Sequence, residues 1–242
     1  MTIRLLHPTT INRIAAGEVI ERPASAIKEL VENSIDAEAK HIDITIRDGG
    51  RTFISVSDDG IGMSLDDLTL AIERHATSKL PNDNLENIQT LGFRGEALPS
   101  IGSVSRMTIT SRLKSADTAW MISIEGGEKK TPTPAASKKG TTIEIRDLFY
   151  ATPARLKFLK TPNTENSHAL DAIKRLAMAH PEIIFNVSNE KRTIFLPLNN
   201  SSLVISFHSP PIAQPPPSGW LSPILVLNVT LGIFILLYIY LI

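Results

Sequence analysis

Apolar residues recur along this chain with two different spacings, and each spacing predicts a type of secondary structure. Between Pro23 and about Ile35 they recur every three or four residues, at Ile27, Leu30, Val31 and Ile35. This spacing is typical of a helix with one face in the core, and a proline fits its first turn. The same reasoning predicts a shorter helix over 11–20, a helix from Leu65 to His75 capped by Ser64, and a helix from Asn163 to Ala179.

Alternation of apolar and polar residues predicts the strands. Ile42, Ile44 and Ile46 alternate with polar residues, and so do Ile54 and Val56. The segment Asp48-Gly49-Gly50 between them predicts a turn, so we expect an antiparallel hairpin. Further strands are predicted over Val104–Ser111, Ala119–Glu125 and Thr141–Arg146, with a last hairpin from Ile183–Val187 and Arg192–Leu198. Helices and strands that are segregated in this way predict an α+β sandwich, with helices on one face of a mixed, mostly antiparallel sheet.

The composition limits the kinds of protein this chain can be. Its 242 residues are enough for a sizeable core, and 25 basic residues balance 25 acidic ones. Nothing global therefore favours nucleic-acid binding, and such a surface would have to be local. The sequence has no cysteine, which excludes disulfides and thiolate metal sites, and it begins without a cleavable signal pattern.

The last fifty residues differ in composition from the rest. No Asp, Glu, Lys or Arg follows Arg192, and prolines cluster at 210–211 and 215–217. Residues 220–242 are uncharged and long enough to cross a bilayer. We therefore expect a globular domain over 1–200, a proline-rich linker over 201–219, and an apolar tail over 220–242 that is either a transmembrane segment or an out-of-frame sequence.

Four short segments carry residues suited to nucleotide chemistry. On the predicted helix Glu29 and Asn33 lie one turn apart on one face, where a carboxylate could accept a proton from water and an amide oxygen could bind Mg²⁺. Asp58-Asp59-Gly60-Ile61-Gly62 places an acceptor at a strand end, followed by glycines that allow close approach to a ligand. Neither a dinucleotide fingerprint nor a Walker phosphate loop is present.

The other two segments are a glycine-rich loop and a short turn. Gly92 and Gly95 flank Arg94 in a loop suited to closing over phosphates, and Thr77-Ser78-Lys79 precedes it across a polar loop over 80–90. The turn at Lys139-Gly140-Thr141-Thr142 leads into a strand. Each segment alone is more typical of a solvated helix face or a surface turn than of a binding site; together, in this order, they favour a nucleotide site.

These segments resemble the conserved boxes of the GHKL ATPases, whose Bergerat-type fold is an α+β sandwich. Longer sequence segments resemble the N-terminal domain of the MutL family of DNA mismatch repair proteins: Ile11–Ile20, Lys28–Ser34, Gly92–Leu98 and Asp147–Arg155. The resemblance extends from about Ile3 to about Asn200. It implies that the chain is the ATP-binding module of such a protein, with ATP and Mg²⁺ as its ligands.

The resemblance also implies a role for each box. Glu29 would be the general base that orients the attacking water, and Asn33 would hold the Mg²⁺ that bridges the phosphates. Asp58 would accept a hydrogen bond from the adenine amino group, in a pocket shaped by Gly60, Gly62 and Thr142. The lid that orders over the triphosphate would be formed by Gly92, Phe93, Arg94, Gly95 and Glu96. It would be flanked by Thr77, Ser78 and Lys79.

The partners implied are other mismatch repair proteins, those that recognise mismatches or nick strands, and a second copy of the chain. Arg155, Lys157 and Lys160 form a small basic cluster, for which a solvated helix face is at least as good an explanation as a DNA contact. We expect a cytoplasmic location, or membrane association if 220–242 is an anchor.

The chain departs from the MutL pattern after about residue 200, where a family member would continue into a second domain that supplies a lysine to the terminal phosphate. The tail is either an accidental reading frame after gene disruption or a genuine anchor, although the basic residues that usually flank an anchor are missing. In both cases we expect weak or lost hydrolysis. The alternatives left open are a membrane-tethered GHKL signalling kinase and a non-functional remnant.

Overall fold

A mixed sheet forms the frame of the protein. The computed structural model describes residues 3–79, 91–92, 95–189 and 193–196, and gives no side-chain detail at 8 or 193–196. Within these residues nine strands form one sheet: β1 (His41–Arg47), β2 (Phe53–Asp58), β3 (Arg106–Arg112), β4 (Ala119–Glu125), β5 (Glu128–Lys129), β6 (Thr133–Ala135), β7 (Gly140–Arg146), β8 (Ile184–Ser188) and β9 (Thr193–Leu196).

The strand order is β5-β4-β3-β7-β2-β1-β8-β9, with β6 also paired to β4. The β1–β8 pair is parallel and the other pairs are antiparallel. The predicted hairpins of β1 with β2 and of β8 with β9 are both present, the first closing through a short 3-10 turn at Asp48–Gly50. The predicted fold class is therefore confirmed.

The helices in the described residues are α1 (Pro8–Val19), α2 (Pro23–Asp36), α3 (Leu65–Leu70), α4 (Ala97–Val104), α5 (Pro153–Phe158) and α6 (Pro162–Ala179). Ile27, Leu30 and Val31 of α2 lie in one core with Ile44 and Ile46 of β1. The opposite side chains of the strands are polar or partly exposed, because alternate residues of a strand point to opposite faces.

Two predicted boundaries were wrong. Ser64 and Asp67 form the expected capping box of α3, but the helix ends at Leu70, turns and bends follow over 71–75, and the backbone of His75 has φ 63°. The amide of His75 instead donates to the carbonyl of Gly95 at 3.2 Å. Val104 was assigned to a strand, but it ends α4, and β3 begins at Arg106.

The proposed linker over 201–219 and apolar tail over 220–242 lie outside the described residues. Among the helices that the structure does describe, none has the length and apolar character needed to cross a bilayer.

Candidate active site

Three of the predicted site residues, Asn33, Asp58 and Lys79, meet at the C-terminal end of α2. Asp58 at the end of β2 and the residues Lys79, Leu91 and Gly92 contact this helix end, and Thr141 at the start of β7 contacts Asp58 beside it. The convergence follows from the topology, because β7 pairs with β2 and α2 runs directly into β1, the other neighbour of β2. The end of α2 therefore contacts Asp58, Lys79 and Gly92 directly, and is linked to Thr141 through Asp58.

Asp58 is the fixed centre of one half of this site. Ser34 Oγ donates to its Oδ2 at 2.9 Å, and the amides of Gly60 and Thr141 donate to its Oδ1 at 2.9 and 3.2 Å. Burial raises the pKa of Asp58 above its ordinary value, while the three hydrogen bonds oppose that rise. Asp58 is thus an oriented acceptor whose position is set by α2 and β7 together.

The glycines around Asp58 are required by the protein backbone itself. Gly62 has φ 72°, and a Cβ there would lie 2.1 Å from the carbonyl oxygen of Arg112. A Cβ at Gly140, where φ is 106°, would lie 2.0 Å from the carbonyl oxygen of Asp58, and one at Gly60 would lie 2.7 Å from that of Ala37. We expected Gly60 and Gly62 to permit close approach of a ligand; a Cβ at Gly62 would meet backbone atoms, and one at Gly60 would meet the carbonyl oxygen and Cβ of Ala37 and, at 2.9 Å, the Oδ1 atom of Asp58.

Of the two threonines at the start of β7, Thr141 is the one at Asp58. Thr142 lies on the opposite face of the sheet, where its Oγ1 is 2.7 Å from Ser57 Oγ. Thr141 instead donates its amide to Asp58, and its hydroxyl is 2.8 Å from that of Ser111. The structure therefore does not bring Thr142 to the predicted pocket, because successive side chains of a strand alternate between faces.

Glu29 and Asn33 lie one turn apart on α2, as the spacing predicted. The Glu29 side chain is about one-third exposed, and its Oε1 lies 3.6 Å from Lys28 Nζ, which is closer to Glu32 at 2.7 Å. Asn33 Oδ1 accepts from the ammonium of Lys79 at 2.8 Å. The predicted metal-ligand oxygen thus already faces a positive charge.

Lys79 joins Asn33 to Asp36, a residue that the sequence reasoning had not assigned to the site. Lys79 Nζ lies 2.5 Å from Asp36 Oδ2. The same carboxylate accepts from the amides of Leu91 and Gly92 at 3.2 and 3.4 Å. Asp36 therefore holds two separate segments of chain against the end of α2.

The remaining lid residues are placed as follows. Thr77 Oγ1 accepts from the Lys79 amide at 3.1 Å, and Ser78 is exposed. Glu96 precedes α4, and its carboxylate lies 3.4 Å from His75 Nδ1, beside the Gly95 carbonyl contact to His75. Phe93 and Arg94 lie outside the described residues.

The basic cluster is divided by the fold. Arg155 turns inward, donating to the carbonyl of Glu21 at 3.3 Å and packing over the ring of Phe149. Lys157 and Lys160 are exposed. The cluster that reaches solvent is therefore two lysines.

A family model described as histidine kinase-, DNA gyrase B- and HSP90-like ATPase matches residues 20–147, about half of the chain. The chain belongs to this ATPase family. The match spans α2, the Asp58 segment and β7, so all four boxes identified from the sequence lie inside it.

Curated relatives of this ATPase domain are named DNA mismatch repair protein MutL. The one from Paramagnetospirillum magneticum is 64% identical over 194 residues, which cover 80% of this chain and 32% of the relative. The one from Rhodospirillum rubrum is 65% identical over 192 residues, 79% of this chain and 30% of the relative. The chain thus spans about a third of the length of the curated relatives it matches.

Solved structures give the same result for the fold of this ATPase domain. The Aquifex aeolicus MutL ATPase domain complexed with ADP is 33% identical, with a TM-score of 0.62 over 74% of this chain and 64% of that chain. The N-terminal domain of a DNA repair protein is 32% identical, with a TM-score of 0.65 over 76% of this chain and 54% of that one. The similarity to MutL-type GHKL domains expected from the sequence is confirmed.

Three residues at the site were not predicted from the sequence, and for two of them, Asp36 and Thr141, the spacing could have revealed them. Asp36 follows Asn33 by three residues, so both lie on one face of α2. Ser34 is a buried hydroxyl within the same helix. Thr141 alternates with Ile143 and Ile145, which marks it as facing the helices.

Proposed function

We propose that this chain binds ATP together with Mg²⁺ at the end of α2 and serves as the ATPase module of a MutL-type DNA mismatch repair protein. The observation that carries the proposal is the bond between Ser34 and Asp58. Ser34 is the residue next to Asn33. The bond therefore holds Asp58, the proposed adenine acceptor, close to Asn33, the proposed metal ligand, at one helix end. A fixed distance between them suits a ligand with a base at one end and phosphates at the other.

The adenine amino group would donate to Asp58. Its carboxylate is already oriented by one hydroxyl and two backbone amides, so binding need not reorganise it. A guanine base would bring a carbonyl oxygen to the same place, where a carboxylate repels it. The arrangement therefore favours adenine over guanine nucleotides.

Asn33 and Asp36 fit a magnesium–phosphate complex. Asn33 Oδ1 accepts from a cation, the Lys79 ammonium, beside a carboxylate, so the environment tolerates positive charge. The described residues contain no cluster of three or more acidic or histidine side chains for a metal. The ion we propose would be held by one protein oxygen, water and substrate phosphates, as is usual for Mg²⁺. When bound, Mg²⁺ would neutralise charge on the phosphates.

Glu29 would activate the attacking water. Its carboxylate is partly exposed one turn before Asn33, where it can accept the proton that water loses as the oxygen bonds to the terminal phosphorus. The bond to the bridging oxygen breaks, and ADP leaves. Positioning and charge neutralisation contribute most to such a transfer.

The comparisons support a role in mismatch repair. Relatives near 65% identity are named MutL, and a similar solved domain contains ADP. We propose residues 1–200 as the ATP-binding domain and 201–219 as a linker. We further propose that nucleotide binding signals to other repair proteins and to a second copy of the chain, with Lys157 and Lys160 as a weak DNA contact.

Calorimetric titration of the full chain with adenylyl imidodiphosphate and with the guanosine analogue tests this function. We expect binding of the adenosine compound, tighter with Mg²⁺ than with EDTA, and at least about tenfold weaker binding of the guanosine compound. Equal binding of the two compounds, or no binding of either, would contradict the proposal.

A further inference from the structure

A lysine ammonium lies on the oxygen that the proposed function gives to Mg²⁺. Lys79 Nζ is 2.8 Å from Asn33 Oδ1 and 2.5 Å from Asp36 Oδ2. The segment over 75–79 brings this side chain to α2 from 43 residues further along the sequence. The contact is therefore a tertiary one, made between two segments that are distant in the sequence.

The ion pair with Asp36 is more enclosed than an ordinary surface pair. The Asp36 side chain is 9% exposed and that of Lys79 is 19% exposed. Asp36 is also fixed by the amides of Leu91 and Gly92, so its carboxylate cannot follow the lysine freely. An enclosed and oriented carboxylate holds an ammonium far better than an exposed one does.

The ammonium and a metal ion cannot share the Asn33 oxygen without strong repulsion. A metal on that oxygen would lie near 2.1 Å from it, whereas Nζ already lies at 2.8 Å. The two positive charges would then be only a few ångströms apart in a partly enclosed site. We propose that Asp36 positions Lys79 as an internal cation on Asn33, and that Lys79 must leave this oxygen when magnesium-bound nucleotide enters.

This inference rests on the proposed function and adds a property to it. Nucleotide without metal meets a site that already contains a positive charge, so it should bind measurably. Nucleotide with Mg²⁺ must displace that charge, so part of the benefit of the metal is lost. The chain should therefore show a smaller magnesium effect on nucleotide affinity than it would without Lys79.

The experiment compares this magnesium effect in four versions of the full chain. Calorimetry measures the Kd of adenylyl imidodiphosphate in EDTA and at saturating Mg²⁺, for wild type, Lys79→Met, Asp36→Asn and the double variant. The ratio of the two Kd values is the magnesium effect. Lys174→Met and Asp171→Asn, both exposed on α6, are the matched controls.

We expect Lys79→Met to lose far more affinity in EDTA than with Mg²⁺, which raises the magnesium effect about fivefold or more over wild type. Asp36→Asn should raise it in the same direction, because the lysine loses its anchor. If Asp36 acts through Lys79, adding Asp36→Asn to Lys79→Met should change the ratio no further. The two control variants should keep the wild-type ratio.

An unchanged magnesium effect in Lys79→Met would overturn the inference, since lysine and metal would then act independently. An Asp36→Asn effect of equal size with and without Lys79 would also overturn it, by showing a merely structural role for Asp36. Failure of the proposed function gives a different result, because wild type itself would then not bind the analogue. Circular dichroism of each variant confirms that it is folded.

Discussion

At Asp58 the site is held by amides at or beside strand ends, one buried hydroxyl and tight glycine contacts, whereas around Asn33 it is held by the ion pair of Lys79 with Asp36 and by the amides of Leu91 and Gly92, which lie outside the sheet. Asp58 receives its donors from α2, from the start of the neighbouring strand β7 and from Gly60 just after its own strand. The side-chain oxygen of Asn33 accepts a hydrogen bond from Lys79, which lies in a segment, 75–79, that contains no strand. The first half is built into the sheet, and the second is built from exchangeable contacts.

The difference suits the two ends of a nucleotide. A base has a fixed pattern of donors and acceptors, and a preorganised acceptor binds it without loss of side-chain freedom. Phosphates change their charge and metal content during hydrolysis, so the groups around them must exchange partners. The comparison predicts that substitutions at the Asp58 half act on folding or on base recognition, and those at the Asn33 half act on metal and chemistry.

The largest effect is expected from Gly62→Ala. A Cβ at this position combines φ 72° with a 2.1 Å approach to the Arg112 carbonyl oxygen, so strain and overpacking should together lower the free energy of unfolding by about 4 kcal/mol. Urea unfolding measures it. Gly127→Ala is the control, because φ is 95° there but the nearest atom lies 3.8 Å away. Equal losses in the two variants would show that the close backbone packing is unimportant.

Glu29→Ala tests the chemistry of the other half. Loss of the general base should remove whatever ATP turnover the wild-type chain retains, while leaving the Kd of adenylyl imidodiphosphate within about threefold of wild type. Phosphate release and calorimetry measure the two quantities. Glu182→Ala, an exposed glutamate beside His180, is the control. Equal loss of turnover and binding would place Glu29 in a binding role instead.

Asp58→Asn should separate recognition from folding. Replacing the charged acceptor should weaken analogue binding by about 30-fold, which is the range for a hydrogen bond to a charged group. Because burial raises the pKa of Asp58 above 3.8, its contribution to stability is fully present below pH 3.8 and is lost as pH rises through the raised pKa. The neutral variant should therefore gain stability relative to wild type from about pH 4 to pH 7, measured by urea unfolding.

A loss of stability in Asp58→Asn at neutral pH, together with unchanged binding, would reverse this assignment. Asp58 would then be a structural residue of the sheet edge, and the base would have to be recognised elsewhere.

The smallest effect is expected at the next residue. Burial acts to raise the pKa of Asp59, but the amides of His41 and Lys40 outweigh it and lower the pKa. Stability from such a group is present above pH 3.8 and is lost as pH falls through the lowered pKa. Asp59→Asn should therefore cost a few tenths of a kcal/mol at about pH 7, because the group is half exposed. Urea unfolding of both variants in one buffer should give opposite signs for Asp58 and Asp59.

Much of the fold could be predicted from spacing alone. The helix at Pro23–Asp36, the hairpin of β1 with β2 and the long helix ending at Ala179 follow from periodicities of 3.6 and 2. The end of α3 and the assignment of Val104 to a helix were not predicted, because the apolar spacing continues past Leu70 and Val104 also fits the alternation of the strand that follows it.

The candidate site divides in the same way. The pairing of Glu29 with Asn33 and the choice of Asp58 came from sequence order, since both depend on local geometry or on a recognisable box. Which of Thr141 and Thr142 faces Asp58 depends on which face of β7 each side chain occupies. The alternation of buried residues along β7 gives that face, whereas the match to a family motif does not.

The sequence by itself determined the fold class, the family and the helix that carries Glu29 and Asn33, because periodicity and short motifs are properties of neighbouring residues. Only the tertiary structure decided that Ser34 and Thr141 orient Asp58, and that Lys79 and Asp36 meet at the Asn33 oxygen. These contacts join residues from 24 to 83 positions apart in the chain. Their formation depends on strand pairing and on the packing of α2 against the sheet, which no local segment specifies.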